Sequence, residues 1–395
     1  MGACYLAWAT DEKIRDRAAN GGFVTAVLVA ALEKDLLDAV IVVKKEDVYE
    51  GIPTVTSDPE TVVKCAGSLH AAPINLTRFV VEFYKDERNK GKKIGLPAKP
   101  CDARGIIEQA KRQQLDINDV YLVGLNCGGT LHPLGLREAA AEIYGIDPDA
   151  VVKEEIKAGK LFLSLQSGEE RECKMDELEE RGYGRRDSCK MCTSKIPTMA
   201  DLACGNWGVP DGEKATFVEV LTEKGEALFR NALENGYIEV KEAPEESLEV
   251  RERIKNAMVK RAEEWWQKLD VVREFTRDER LKFYVETLKL CIHCGACRIV
   301  CPVCACGDAA KCVSMHDERD DYVISMYNMI RLLHLMDSCI GCGQCEDVCP
   351  VDIPLTLIHR RFAERMQRKL NYTPGMSVEE KPPFYEAELR WHDIL

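Results

Sequence analysis

Nineteen of the 395 residues are cysteine, and their spacing says what chemistry they suit. Residues 291–302 read CIHCGACRIVCP and residues 339–350 read CIGCGQCEDVCP, identical at 8 of 12 positions at an offset of 48. Each is C-x2-C-x2-C-x3-C-P. Three thiolates at that spacing wrap one iron–sulfur cube, while the fourth, held by the proline after it, turns to the neighbouring cluster. The pattern predicts one [4Fe–4S] cluster on Cys291, Cys294, Cys297 and Cys349, and a second on Cys339, Cys342, Cys345 and Cys301. Gly295, Ala296, Gly341 and Gly343 leave room for the backbone to close around them. Zinc favours isolated C-x2-C pairs, which a duplicated four-cysteine run is not.

Four further cysteines form a weaker pattern: Cys101 in LPAKPCDARG, Cys127 in GLNCGGT, and Cys189 with Cys192 in SCKMC. A single C-x2-C serves redox or zinc chemistry equally well, so spacing alone leaves their use open. Cys304, Cys306, Cys312 and His316 follow the first repeat, and buried, unligated thiols are the preferred reading there. Cys4, Cys65 and Cys173 are scattered and read as structural, and His70 and His132 as ordinary loop histidines.

Thiols need elements to carry them. An apolar helical stretch from Gly22 to about Leu37 leads into a strand at 39–43. Further strands are expected at 93–97 and 120–125, with helices near 102–113 and after Pro133. This alternation predicts a mainly parallel sheet, whose ligands sit beyond the carboxyl ends of the strands, where Cys101 and Cys127 fall. Strands at 161–165 and 216–221 and a helix at 224–235 follow. Val250, Ile254, Met258, Ala262, Trp265, Leu269 and Val272 recur at steps of three and four, one packing stripe on a long charged helix. Between the cysteine repeats, 320–336 reads as an apolar helix.

A formal charge of −13 disfavours nucleic acid as a partner. No apolar run is long enough for a transmembrane segment, and no secretory signal is visible, so a cytoplasmic location is expected.

Several blocks resemble the coenzyme F420 hydrogenase/dehydrogenase β-subunit family. They are RDRAANGGFVTAVLVAALEKDLLDAVIVV, KCAGSLHAAP, GKKIGLPAKPCDARGI, VGLNCGGT, SCKMC with ADLACGNWG, and ATFVEVLTEKGEALF, spread over about residues 1–240. The resemblance implies FAD, a [4Fe–4S] cluster beside it, and hydride exchange with coenzyme F420 as substrate. By position it makes Cys101, Cys127, Cys189 and Cys192 the ligands of that cluster, with Cys204 an alternative. It makes Gly21, Gly22 and Thr25 flavin contacts, with Ser68 and Lys99 beside them.

The fold class expected is an α/β, or mixed α+β, flavin- and cluster-binding domain over 1–240, a charged helical connector over 241–285, and a two-cluster ferredoxin domain over 286–395. The long insertion between the repeats resembles the α-helical ferredoxin domain of the succinate dehydrogenase iron–sulfur subunit. Joined to such a tail, the family resemblance points to its formate-oxidising branch, whose catalysis lies on a separate molybdenum- or tungsten-pterin subunit. Heterodisulfide reductase or hydrogenase subunits are alternative partners, and an electron-transfer adaptor without flavin is the competing reading.

Overall fold

The computed structural model describes residues 2–307 and 321–384. Cys312 and His316 lie outside the described residues. The strands are β1 (Cys4–Ala9), β2 (Ala39–Lys45), β3 (Gly51–Thr56), β4 (Ile94–Ala98), β5 (Val120–Leu125), β6 (Val151–Lys157), β7 (Lys160–Leu165), β8 (Glu170–Lys174), β9 (Leu202–Gly205), β10 (Thr216–Val220) and β11 (Ile238–Glu242). Eight form one sheet in the order β11-β1-β10-β9-β5-β4-β2-β3, and β6-β7-β8 form a small second sheet.

Only the middle of the large sheet is parallel: β2 with β4, β4 with β5, and β5 with β9. Both flanks are antiparallel, which corrects the expectation of a mainly parallel sheet. The reason is connectivity. A parallel crossover needs a helix-length connection, whereas β2 reaches β3, and β9 reaches β10, without one.

The Phe23–Glu33 helix is apolar nearly all round, with Phe23, Ala26, Val27, Leu28, Val29, Ala30 and Ala31 buried, as a helix between layers must be. It packs on one face of the sheet with the Glu223–Glu234 helix. The Thr77–Lys85 and Pro100–Lys111 helices cover the other face through Val80, Val81, Tyr84 and Ile106. The small sheet closes a third core with Leu136, Ala139 and Leu178.

The expected long helix after Pro244 is two helices, Glu245–Leu269 and Arg277–Leu288. The chain turns at Asp270, whose carboxylate pairs with Arg361. Thr276 and Glu279 then start the second helix with a reciprocal capping box. Val272 is buried in the turn rather than on the stripe. The second helix packs with the tail, since Tyr284 and Leu288 lie against Cys291, Cys297 and Cys349. Beyond it the described elements are all helical, including Asp321–Leu335 and Leu355–Leu370.

The tail folds back onto the Pro100–Lys111 helix. Glu108, wholly buried, meets Lys111 at 2.9 Å and Arg112 at 2.7 Å, and accepts hydrogen bonds from the Tyr372 hydroxyl and the Gly375 N–H, both at 2.7 Å. Arg112 also donates to Ser338 at 2.6 Å. Burial opposes ionisation of Glu108, but Arg112 and Lys111 outweigh it and hold the carboxyl below its usual range. Removing one partner of a buried pair strands the others without charge compensation. Glu108→Gln should therefore destabilise the docked tail by about 3 kcal/mol, read in urea unfolding and in faster hydrogen exchange at residues 372–375.

Candidate cofactor site

The parallel strands carry their C-terminal ends to one edge of the sheet, where a cavity of ≈ 300 Å³ opens. Open sheets with parallel strands hold ligands there. Gly22 and Thr25 line it from the start of the Phe23–Glu33 helix, Ser68 and His70 from the loop after the Pro59–Lys64 helix, and Lys99 from the turn after β4. Gly22 stands at the helix N-cap with φ 80°, and no side chain caps that end. Its first N–H groups are left for an anion, which the helix dipole also favours. Gly67 (φ 111°) and Gly129 (φ 123°) give the cavity walls without side chains.

Gly21 is placed differently. A Cβ there would come within 2.7 Å of the Ala7 carbonyl oxygen and 2.9 Å of the Ala215 Cα, so packing against the sheet is what requires glycine. It does not line the cavity.

Lys99 stands between the cavity and a second pocket. Its ammonium donates to the Ile74 carbonyl at 2.8 Å and pairs with buried Asp102 at 2.9 Å. Burial works against that charge, but Asp102 and the Cys101 and Cys127 thiols outweigh it and raise the pKa. The uncapped helix end, the side-chain-free turns and this fixed cation suit the dinucleotide that the family resemblance implies.

The second pocket is lined by Cys101, Cys127, Cys189 and Cys192. Cys101 sits in the first turn of the Pro100–Lys111 helix, Cys127 in the loop after β5, and Cys189 in the short Asp187–Lys190 helix. Burial pushes the Cys127 thiol up to about 11, with Cys189 adding to it. Burial raises Cys189 too, but Arg186 at 3.7 Å and Thr130 at 3.4 Å overcome it and lower its pKa. Cys204 is fully buried in β9 and lines the cavity, not the thiol pocket.

The far wall of that pocket is Ile340, Gly341 and Cys342 from the tail. Desolvation raises the Cys342 and Cys345 thiols, and each is pushed further by Cys301 and Cys339. These four thiols thus share one electrostatic environment. Cys291, Cys294, Cys297 and Cys349 line another small pocket, and Cys294 is exposed. Cys345 packs with this outer set, so the middle set touches both neighbours. Among the described residues, no three or more His, Cys, Asp or Glu side chains are placed to hold a metal ion. A four-iron cube holds its thiolates farther apart than one ion does. Cys304 packs beside Cys301, and the Cys306 hydrogen bond lowers it to about 5 against its burial.

Two arginines complete the arrangement, and no motif pointed to them. Arg186 reaches across to Asp347 and donates to the Cys342 carbonyl at 3.1 Å. Arg331, buried in the Asp321–Leu335 helix, donates to the Cys297 sulfur and, at 3.2 Å, to its carbonyl. Asn126 was also missed: its amide is buried against Gly205 with neither nitrogen nor oxygen bonded.

A sheet-edge cavity joined to successive pockets lined by thiols defines an electron-transferring subunit of an iron–sulfur oxidoreductase. The chain belongs to the coenzyme F420 hydrogenase/dehydrogenase β-subunit family: residues 4–80 match its N-terminal model and 91–246 its C-terminal model. Residues 283–366 match a 4Fe-4S dicluster domain. It is 42% identical, over 97% of this chain and 99% of the relative, to the F420-dependent formate dehydrogenase subunit beta of Methanocaldococcus jannaschii. Identity to the F420-dependent formate dehydrogenase 1 subunit beta of Methanococcus maripaludis is 40%, over 96% of each. A chain of the F420-reducing [NiFe] hydrogenase complex of Methanosarcina barkeri shares the fold, with a TM-score of 0.57 at 22% identity over 69% of this chain and 93% of that one. No helix among the described residues is long and apolar enough to cross a membrane.

Two predictions follow from the side chains around these pockets. A cation donating to a ligand sulfur favours the reduced, more negative cluster. Arg331→Gln should lower the potential of a cluster held on Cys297 by about 60 mV, tenfold in the one-electron equilibrium; an unchanged midpoint in a redox titration would show the arginine has no such role. His70, whose Nδ1 lies 2.8 Å from Glu154 on β6, ties the small sheet to the cavity rim. Burial works against its charge, but Glu154 lifts the pKa above 6.5. The pair's stabilisation is then complete below about pH 6.5 and is lost as pH rises through the raised value. Melting curves across that range should fall more for the natural chain than for His70→Gln.

Proposed function

We propose that this chain is the F420-reducing β subunit of a cytoplasmic formate dehydrogenase. Formate loses two electrons and a proton, leaving as CO2, on a separate molybdenum- or tungsten-pterin subunit, and this chain passes the electrons to coenzyme F420. The observation that carries the reading is continuity: the three thiol sets abut one another from exposed Cys294 to the pocket that Lys99 divides from the cavity. The near full-length match to two relatives named formate dehydrogenase β subunits supports the choice of donor.

When bound, [4Fe–4S] clusters carry single electrons and FAD exchanges a hydride with the deazaflavin. In this reading Cys291, Cys294, Cys297 and Cys349 hold the outermost cluster. Cys301, Cys339, Cys342 and Cys345 hold the middle one, and Cys101, Cys127, Cys189 and Cys192 the innermost. Gly22 and Thr25 receive the flavin phosphates at the helix end, Ser68 lies along the wall, and Lys99 keeps a positive charge between flavin and thiols. Gly21 supports that helix start from behind.

Purification without oxygen should give three four-iron clusters and one FAD per chain, attached to a formate-oxidising subunit. Cys342→Ala should lose about one cluster and formate-driven F420 reduction, while dye-driven F420 reduction persists. Absence of FAD, or F420 reduction that needs a donor other than formate, overturns the reading.

A further inference from the structure

A groove lies on the outer side of the tail, away from the thiol pockets. It measures ≈ 970 Å³ and runs between the end of the Glu245–Leu269 helix, the Arg277–Leu288 helix and the Leu355–Leu370 helix. Seven of its seventeen lining residues are arginine or lysine and two are acidic. Both acids are already engaged, Asp270 by Arg361 and Glu364 by Arg360. Arg277, Arg365, Arg368 and Lys369 are exposed, and among the described residues no carboxylate pairs with them. This concentration of positive charge stands on a chain whose net charge is −13.

The groove has an apolar floor of Tyr284, Leu288 and Phe362, which belong to the same apolar cluster as Cys291, Cys297 and Cys349. Leu281, at 62% exposure, and Met329, at 37%, continue it to the surface. Around exposed Cys294, Ile292 and Ile299 also face solvent, at 60% and 58%. An apolar centre ringed by arginines is the anatomy of a protein interface. A small anion would call for converging, buried donors, whereas these four cations are spread along an exposed rim.

We propose that this groove docks an acidic segment with an apolar face, carried by the electron-donating subunit. The inference rests on the functional reading above and names the surface through which that partner is held. Rim cations would steer the acidic partner, which the rest of this negatively charged chain repels, and seat its redox centre beside the outer thiol set. Such steering weakens with salt.

The test uses the full complex and the triple variant Arg277→Glu/Arg365→Glu/Arg368→Glu. The control is Lys85→Glu/Arg88→Glu/Lys90→Glu, which makes the same charge change at exposed positions of the first domain. The groove variant should raise the Kd for the formate-oxidising subunit at least tenfold and flatten its salt dependence. Iron content and dye-driven F420 reduction should stay at control levels. Wild-type affinity and salt dependence in the groove variant overturn the proposal. So does a change only in self-association, which would make a second copy of this chain the occupant. A different acidic electron donor lost from the same variant would support the groove and overturn the formate reading. A natural chain that holds no partner at any salt overturns both.

Discussion

A thiol in a protein interior resists ionisation, and a cluster is held by thiolates. The cysteines of the inner and middle sets are partly or, for Cys301, fully buried among apolar side chains and other thiols, so ionised thiols there are favoured by positive charge beside them. The chain supplies that charge with half-buried Lys99 at the inner set, buried Arg186 between Cys189 and Cys342, and buried Arg331 beside Cys297 and Cys301. For all three, burial opposes the charge; Asp102 and thiols outweigh it at Lys99, thiols and Asp347 at Arg186, and thiols at Arg331. Cation and thiol are therefore interdependent. Removing either leaves the other desolvated without compensation, which ties the integrity of the fold to that of the thiol sets.

The same constraint explains how the two parts of the molecule join. Arg186 neutralises Cys189 in the first domain and pairs with Asp347 in the tail, so one guanidinium serves both the thiol pocket and the docking. Gln344 donates to the Pro73 carbonyl and accepts from the Asn75 N–H, and Gln109 reaches the Pro302 carbonyl at 2.7 Å. At Gly343, a Cβ would sit 2.3 Å from the Ser188 hydroxyl, so close approach here requires glycine twice over: for its φ of 74° and for the space. The tail thus brings Cys342 to the wall of the inner pocket through a set of specific polar contacts.

The duplicated C-x2-C-x2-C-x3-C-P run was legible because the cluster's ligand chemistry writes itself into local spacing, and the helical tail was legible from the length between repeats. The central strands at 39–45, 94–98 and 120–125 were legible from continuous β-branched and apolar runs. The antiparallel flank of β10, β1 and β11 was not, because β1 is the first strand in the chain yet sits between β10 and β11, a pairing of residues more than two hundred positions apart. Arg186 and Arg331 escaped for a related reason: each is one charged residue in an unremarkable helix or loop, and only folding brings it to a thiol. Gly21 and Gly22 looked alike in sequence, but one packs under the sheet and the other faces the cavity.

Electron transfer needs neighbouring centres, whereas hydride transfer needs a cavity open to a bulky coenzyme. The architecture separates the two demands. The parallel strand ends provide an open, glycine-lined cavity whose far wall is already the first thiol pocket. The antiparallel flanks extend the sheet away from it and leave that edge free. The tail, built only of helices among its described residues, can approach from the other side because Pro100–Lys111 presents both Cys101 to the pocket and Glu108, Gln109 and Lys111 to the tail. One helix therefore positions a thiol and the docking surface together. A shift of the tail along that helix would break the Glu108 network and draw Cys342 from Cys101 at once, so the polar hub and the thiol pocket are held in register by the same helix.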